Sequence, residues 1–106
     1  FHDFDGQPDP AVLGDLIAEA QSLGADIVKC AVTPQHAADL AALAALLEAG
    51  PTTPLSLMGM GPLGRVSRLL LGQLGSSLNY GYLDSATVPG QWPAAELKRL
   101  LEILRA

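Results

Sequence analysis

A regular alternation of strand-like and helix-like segments is the feature that most constrains the fold of this chain. Four short apolar segments are predicted to be strands: residues 1–4, 26–32, 54–60 and 77–83. Four segments with apolar side chains at helical spacing are predicted to be helices: residues 9–23, 37–49, 64–74 and 93–104. Strands that alternate with helices pair in parallel, and continuously apolar strands indicate a sheet that is covered on both faces. A doubly wound sheet and one half of a (β/α)8 barrel both fit this order.

The length of the chain limits it to part of a barrel. A complete (β/α)8 barrel needs about 250 residues, whereas this chain has 106 and supplies four of the eight units. The first predicted strand begins at Phe1, has almost no length and lacks a preceding initiator methionine. We therefore expect a truncated barrel.

Composition disfavours several functional classes. Eleven acidic residues against six basic ones argue against a sequence-independent nucleic-acid surface. Cys30 is the only cysteine, which excludes an intrachain disulfide and a multi-cysteine zinc site, and we interpret it as a small core residue. No signal peptide, lipidation motif or apolar run of about 18 residues is present. A soluble, cytoplasmic protein with no membrane partner is the expectation.

Proline and glycine mark the expected ends of the helices. Asp9 and Pro10 combine a capping residue with proline at the first helical position, and Thr33 and Pro34 repeat that signal. Gly24 is predicted to end the first helix. The second helix, over 37–49, is predicted to follow the Thr33–Pro34 signal and to end at Gly50.

A lysine lies in the middle of the second predicted strand. Alternation along that strand puts Ile27, Lys29 and Ala31 on one face and Val28, Cys30 and Val32 on the other. The larger apolar set suits helix packing, so Lys29 is predicted to point into the barrel. A buried amine without a partner lowers its pKa and can attack a carbonyl to form a Schiff base. Pairing with a buried carboxylate, or extension to the end of the strand, is the alternative interpretation.

Chemistry in this fold class is expected at the carboxyl ends of the strands. The candidates that collect there are His2, Asp3, Lys29, Met58, Met60, Arg65, Arg68 and the loop 84–91. The sequence shows no cluster of metal ligands, and no metal or cofactor is predicted.

Four motifs, in order along the chain, resemble the type I 3-dehydroquinate dehydratase family. They are "HDF" at 2–4, "GADIVKCAVTPQ" at 24–35, "MGMGPLGRVSR" at 58–68 and "VPGQ" at 88–91. The resemblance implies that residues 1–106 form the C-terminal half of a single (β/α)8 barrel domain. It also implies a lyase that dehydrates 3-dehydroquinate to 3-dehydroshikimate through a lysine Schiff base, in the shikimate pathway of aromatic amino-acid biosynthesis.

The resemblance also implies roles for individual residues. Lys29 matches the imine-forming lysine, and His2 matches the histidine that removes the neighbouring proton and then protonates the departing hydroxyl. Arg68 matches the arginine that binds the substrate carboxylate. The other matches are predicted to contact substrate or line its pocket: Met58, Met60, Tyr80 (usually phenylalanine), Thr87 (usually serine) and Gln91.

Two other functions stay open on the sequence. A class I Schiff-base lyase of aldolase type would use the same lysine, although "VPGQ" and "HDF" argue against it. A half-barrel binding or scaffold module could keep the motifs without turnover. Four units also leave two open sheet edges, which invite pairing with another chain, and a homodimer is the expected assembly.

Overall fold

The computed structural model describes residues 1–105. Within that range, four α-helices and two β-strands follow one another, with a single 3-10 turn before the third helix. In chain order they are α1 (Pro10–Ser22), β1 (Val28–Val32), α2 (Ala37–Glu48), β2 (Leu55–Gly59), the 3-10 turn (Gly61–Leu63), α3 (Gly64–Gln73) and α4 (Ala94–Arg105). No helix among the described residues is both long enough and apolar enough to cross a membrane.

The two strands form a parallel sheet joined by α2. Val28 pairs with Leu55 at one end of the register and Val32 pairs with Gly59 at the other. This strand–helix–strand order is the predicted one, and the parallel pairing is confirmed.

The two faces of the sheet bury different side chains, as the alternation along β1 predicted. One face packs against helices in the main core, whose fully or largely buried members are Leu13, Ile17, Val28, Cys30, Val32, Leu43, Leu47, Leu55, Leu57 and Leu71. The opposite face carries Ala31, Met58 and Met60, against which Val88 packs. Each buried leucine contributes about 1.5–3 kcal/mol through loss of water contact, so the helix-facing side provides most of the stability. The other face is left to form a site.

The first predicted strand, residues 1–4, is reduced to a single parallel bridge between His2 and Ala31. The Phe1 nitrogen donates to Lys29 O at 2.9 Å, and Asp3 N donates to Ala31 O at 2.8 Å. The chain then turns away, because the Asp3 carboxylate accepts the backbone N–H groups of Asp5 and Gly6 at 3.1 Å each. Residues 1–4 therefore lie beside β1 as predicted but form no extended ladder.

The prediction of a fourth strand at 77–83 is wrong. Ser77 N donates to Leu55 O at 2.7 Å, but side-chain hydroxyls then replace the backbone ladder. Ser76 Oγ accepts from Leu57 N at 3.0 Å and donates to Leu57 O at 3.2 Å, while Ser56 Oγ donates to Leu78 O at 2.7 Å. Because these hydroxyls satisfy the groups that a strand would pair, the segment stays beside β2 without forming one.

The helices match their predicted ranges closely, although the Thr33–Pro34 signal does not itself start a helix. α1 begins at Pro10, and Gly24 follows its end with φ +86°. α2 begins at Ala37, the first residue of its predicted range, and the Asp39 carboxylate accepts the backbone N–H groups of Gln35 and His36 at 2.9 and 3.0 Å. Thr33 is not a cap, since its hydroxyl donates to Asp3 O at 3.0 Å.

Candidate active site

A pocket of about 280 Å³ opens on the face of the sheet that carries Ala31 and the two methionines. The eight residues that the family resemblance assigned to the site all line it: His2, Lys29, Met58, Met60, Arg68, Tyr80, Thr87 and Gln91. Asp3 and Arg65, the other candidates at the strand ends, do not. They come from β1, β2, α3 and three irregular segments. Parallel strands bring such distant segments together because their carboxyl ends meet at one edge.

Lys29 enters the pocket from the middle of β1. Its Nζ lies 4.6 Å from the centroid of the Tyr80 ring, which is a cation–π contact. The side chain is half-buried rather than fully buried, so the expectation of a buried amine is met only in part. Within residues 1–105 the single ion pair joins Arg99 to Glu96 at 2.6 Å, so Lys29 has no carboxylate partner there.

Arg68 is the buried cation of the pocket, with 4% of its surface exposed. Its Nε donates to Gly59 O at 3.0 Å and its Nη1 donates to Tyr80 O at 3.1 Å. Burial lowers the pKa of the guanidinium from its ordinary value. A guanidinium has five N–H donors, and the two bonds to carbonyls leave three for an anion in the pocket.

The first turn of α3 fixes Arg68 against the end of β2. Ser67 Oγ accepts from Gly59 N at 2.9 Å and donates to Gly64 O at 2.6 Å. A Cβ on Gly59 would collide with that hydroxyl and would lie 2.9 Å from Pro34 Cγ. Only glycine at position 59 therefore allows α3 to approach close enough for Arg68 to reach the strand-end carbonyl.

His2 stands at the rim of the pocket. Its ring stacks on Phe4 with 5.9 Å between the centroids and 10° between the planes. The side chain is exposed, and among residues 1–105 the imidazole has no hydrogen-bond partner. The backbone bridge to Ala31 fixes the position of His2, whereas within this range only the stacking on Phe4 bears on the orientation of its ring.

Residues 84–91, the lid loop, close one side of the pocket. Thr87 contributes its backbone N–H and its hydroxyl to Gln91 Oε1 at 2.9 and 3.3 Å, so these two predicted contacts of substrate also hold each other. Gly61 N donates to Pro89 O at 2.8 Å. Gly90 has φ +89°, and a Cβ there would lie 2.6 Å from Gly61 O. The end of the loop is therefore packed directly onto the turn before α3.

Four pocket residues were not predicted from the sequence, namely Phe4, Ala31, Gly81 and Val88. Phe4 and Val88 belong to the "HDF" and "VPGQ" motifs, and Ala31 lies two residues after Lys29 on the same strand face. Those three could have been found by extending signals already used. Gly81 gives no local signal, because its need for glycine comes from Ala94, whose Cα would lie 2.5 Å from an added Cβ.

Cys30 is not among the residues that line the pocket. Cys30 lies on the core face with 1% exposed, and burial raises the pKa of its thiol, as suits the predicted core residue. In the described part of the chain, no three His, Cys, Asp or Glu side chains come together in a way that could hold a metal ion.

Alternating strands and helices, with a lysine, a histidine and an arginine around one pocket on the sheet, define the class as a partial (β/α)8 barrel with a candidate carbonyl-chemistry site. The chain belongs to the type I 3-dehydroquinase family, whose sequence model matches residues 1–106.

Relatives and solved structures agree with this assignment. The 3-dehydroquinate dehydratase of Methanothrix thermoacetophila is 43% identical over 107 residues, which cover 100% of this chain and 46% of that protein. The crystal structure of 3-dehydroquinate dehydratase from Geobacillus kaustophilus superposes with a TM-score of 0.87 at 34% identity, covering 99% of this chain and 42% of that one. The type I enzyme from Clostridium difficile, solved with covalently modified comenic acid, has a TM-score of 0.85 at 32% identity and the same 42% share. The chain thus spans less than half the length of these relatives.

Proposed function

We propose that this chain is the C-terminal half of a type I 3-dehydroquinate dehydratase barrel and that it carries the imine-forming lysine. The substrate would be 3-dehydroquinate and the product 3-dehydroshikimate, in the shikimate pathway. One observation supports this most strongly: Lys29, His2 and Arg68 come from three distant segments and line one pocket. Family membership over residues 1–106 supports the same assignment.

In the proposed reaction, Lys29 Nζ attacks the ketone carbon of the substrate, and loss of water gives a protonated imine. The iminium withdraws electrons and acidifies the adjacent C–H bond, so the imidazole of His2 can take that proton as a general base. The resulting enamine expels the β-hydroxyl group, which leaves as water with the proton held by His2. Hydrolysis of the conjugated imine then releases the product and the free amine.

Binding of the substrate is assigned to the rest of the pocket. Arg68 would hold the carboxylate through the N–H donors that its two carbonyl bonds leave unused. Met58 and Met60 would cover the carbon ring, and Tyr80 would stand behind the amine. Thr87 and Gln91 would close the site from the lid loop. The Clostridium difficile type I enzyme was solved with covalently modified comenic acid, and covalent chemistry in that relative supports the proposal.

One observation favours a binding module without turnover as the second candidate. The imidazole of His2 is exposed and stacks on Phe4, with no acid within residues 1–105 to orient it. A module of this kind would bind the substrate yet form no imine. A cytoplasmic location and a homodimer stay predictions from the sequence.

The test is product formation by a completed barrel. The chain is co-expressed with the N-terminal half of the Methanothrix thermoacetophila enzyme and given 3-dehydroquinate, and the ultraviolet absorbance of the conjugated product is followed. We expect absorbance to rise, to be lost in Lys29→Ala and to be kept in Lys98→Ala, since Lys98 is an exposed lysine of α4. Cleavage products without the conjugated ketone would identify an aldolase instead, and unchanged substrate in a folded assembly would overturn the proposal.

A further inference from the structure

Arg65 and Trp92 contact each other at the base of the lid loop, and we call their contacts the clasp. Trp92 Nε1 donates to Arg65 O at 2.9 Å, and Arg65 Nε donates to Gln91 O at 3.2 Å. The Arg65 guanidinium also lies over the indole ring, 5.0 Å from its centroid. Three contacts therefore join Arg65, on the first turn of α3, to Gln91, the last residue of the lid loop, and to Trp92, which follows it.

Trp92 also connects the segment that follows the loop to the segment that precedes it. Trp92 O accepts from Tyr82 N at 2.9 Å, so the indole-bearing residue joins both ends of the loop. Between them, Leu83 is 91% exposed, and in the described chain no hydrogen bond involves residues 83–86. Residues 83–86 are thus held only through their neighbours, whereas the end of the loop is attached at Pro89 by Gly61 and at Gln91 by Arg65.

We propose that Arg65 and Trp92 are positioning residues that hold the lid loop over the pocket, so that Thr87, Val88 and Gln91 form its wall. Arg65 and Arg68 lie three positions apart on α3, so one helix turn carries both this clasp and the predicted carboxylate ligand. None of the three contacts involves Lys29 or Arg68, so their loss acts on the loop, which then keeps only the bond from Gly61 N to Pro89 O and its internal Thr87–Gln91 bonds. The consequence for substrate rests on the proposed function, whereas the consequence for the loop does not.

The first measurement is amide hydrogen exchange across the chain, with Trp92 fluorescence as a second probe because Trp92 is the single tryptophan. In Arg65→Ala we expect the hydrogen-bonded amides of the lid loop and its base, those of Thr87, Tyr82 and Gly61, to exchange at least about tenfold faster, with α2 amides unchanged and the indole emission shifted. Arg65→Ala loses both contacts of the guanidinium and keeps only the bond from Trp92 Nε1 to the main-chain oxygen of residue 65. Arg65→Lys keeps a cation beside the indole and Trp92→Phe keeps the bond to Gln91 O, so each should give a smaller increase. Arg99→Ala, an exposed arginine of α4, should leave the loop as it is.

The second measurement separates this inference from the proposed function. In the completed barrel, Arg65→Ala should raise KM for 3-dehydroquinate about tenfold or more, with kcat within about threefold of the unaltered protein. If the unaltered protein shows no turnover, the proposed function fails and the exchange result still decides the clasp. Unchanged lid-loop exchange in Arg65→Ala, or faster exchange spread equally over α2, overturns the clasp whatever the activity is.

Discussion

The amine of Lys29 rests against an aromatic ring rather than beside a carboxylate. A cation–π contact with a partly exposed ring contributes about 0.5–1 kcal/mol, so a substrate carbonyl could displace it at small cost. Side-chain alternation along β1 was enough to predict which way Lys29 points, because the core face needed Val28, Cys30 and Val32. The contact with Tyr80 could not be predicted from the sequence around Lys29, because Tyr80 lies about 50 residues further along the chain.

Arg68, the buried cation of the pocket, supports a prediction with two readouts. Arg68→Lys keeps the charge but loses the planar fork that bonds Gly59 O and Tyr80 O. Affinity for the substrate should fall about tenfold or more, in line with about 1.5–3 kcal/mol for a hydrogen bond to a charged group. The dissociation constant is measured by titration calorimetry, and denaturant unfolding reports the loss of stability. Arg99→Lys is the matched control, and unchanged binding in Arg68→Lys would refute the assignment.

Among the elements, the segment at 77–83 shows why an apolar pattern alone led to the prediction of a strand that does not form. Its aromatic and apolar composition is that of a strand, but the neighbouring backbone of β2 is already bonded by serine hydroxyls. Ser76 is 4% exposed and satisfies both polar groups of Leu57. Hydroxyls that substitute for a ladder cannot be recognised without knowing the distance between the segments, so the sequence located this segment but not its conformation.

A matched pair of serines tests that explanation. Ser76→Ala leaves the buried N–H of Leu57 unsatisfied and should lower the free energy of unfolding by about 1–3 kcal/mol. Ser77 is exposed and uses only its backbone in the contact with Leu55, so Ser77→Ala should change stability by about 0.5 kcal/mol or less. Chemical denaturation measures both. Equal effects in the two variants would show that the Ser76 hydroxyl is not what holds the segment on β2.

The start of α2 carries a pH dependence. Backbone N–H groups of Gln35 and His36 hold the pKa of Asp39 below its ordinary value of 3.8. The carboxylate therefore stabilises the fold above that value, and the contribution is lost as the pH falls through the lower, folded value. Thermal unfolding of Asp39→Ala should show a lowered Tm at neutral pH and a shrinking difference below about pH 4. Asp39→Asn keeps an acceptor that does not titrate and serves as the control. A Tm difference between Asp39→Ala and the unaltered protein that stayed constant with pH would contradict the argument.

For the whole molecule, one exposed apolar side chain marks each side of the partial barrel. Phe4 is 62% exposed beside the single bridge to β1, and Leu78 is 40% exposed on the segment beyond β2. The order of strands and helices was predictable because each strand–helix unit carries its own pattern in a short window, whereas most residues of the pocket were predicted from the resemblance to the family. The contacts that complete a barrel join distant parts of a chain, and relatives have more than half of their length beyond the part matched by this one.

The few contacts that hold His2 predict weak turnover by the 106-residue chain. His2 is held by one backbone bridge, and its ring has no fixing partner within residues 1–105. Misplacement of a catalytic group by about 1 Å can reduce the rate about 10²-fold. We expect the chain alone to dehydrate 3-dehydroquinate at least about 10²-fold more slowly than the completed barrel, as measured by product absorbance. Rates within about tenfold of each other would show that the half-barrel is self-sufficient.

The central claim is that Lys29 forms the imine, and borohydride reduction tests it most directly. The chain is incubated with 3-dehydroquinate and borohydride, and the modified peptide is located by mass spectrometry. The account predicts one substrate-derived adduct per chain on Lys29, absent from Lys29→Ala and retained in Lys98→Ala. An adduct on Lys98, an adduct that persists in Lys29→Ala, or no adduct in a folded, completed barrel would contradict it.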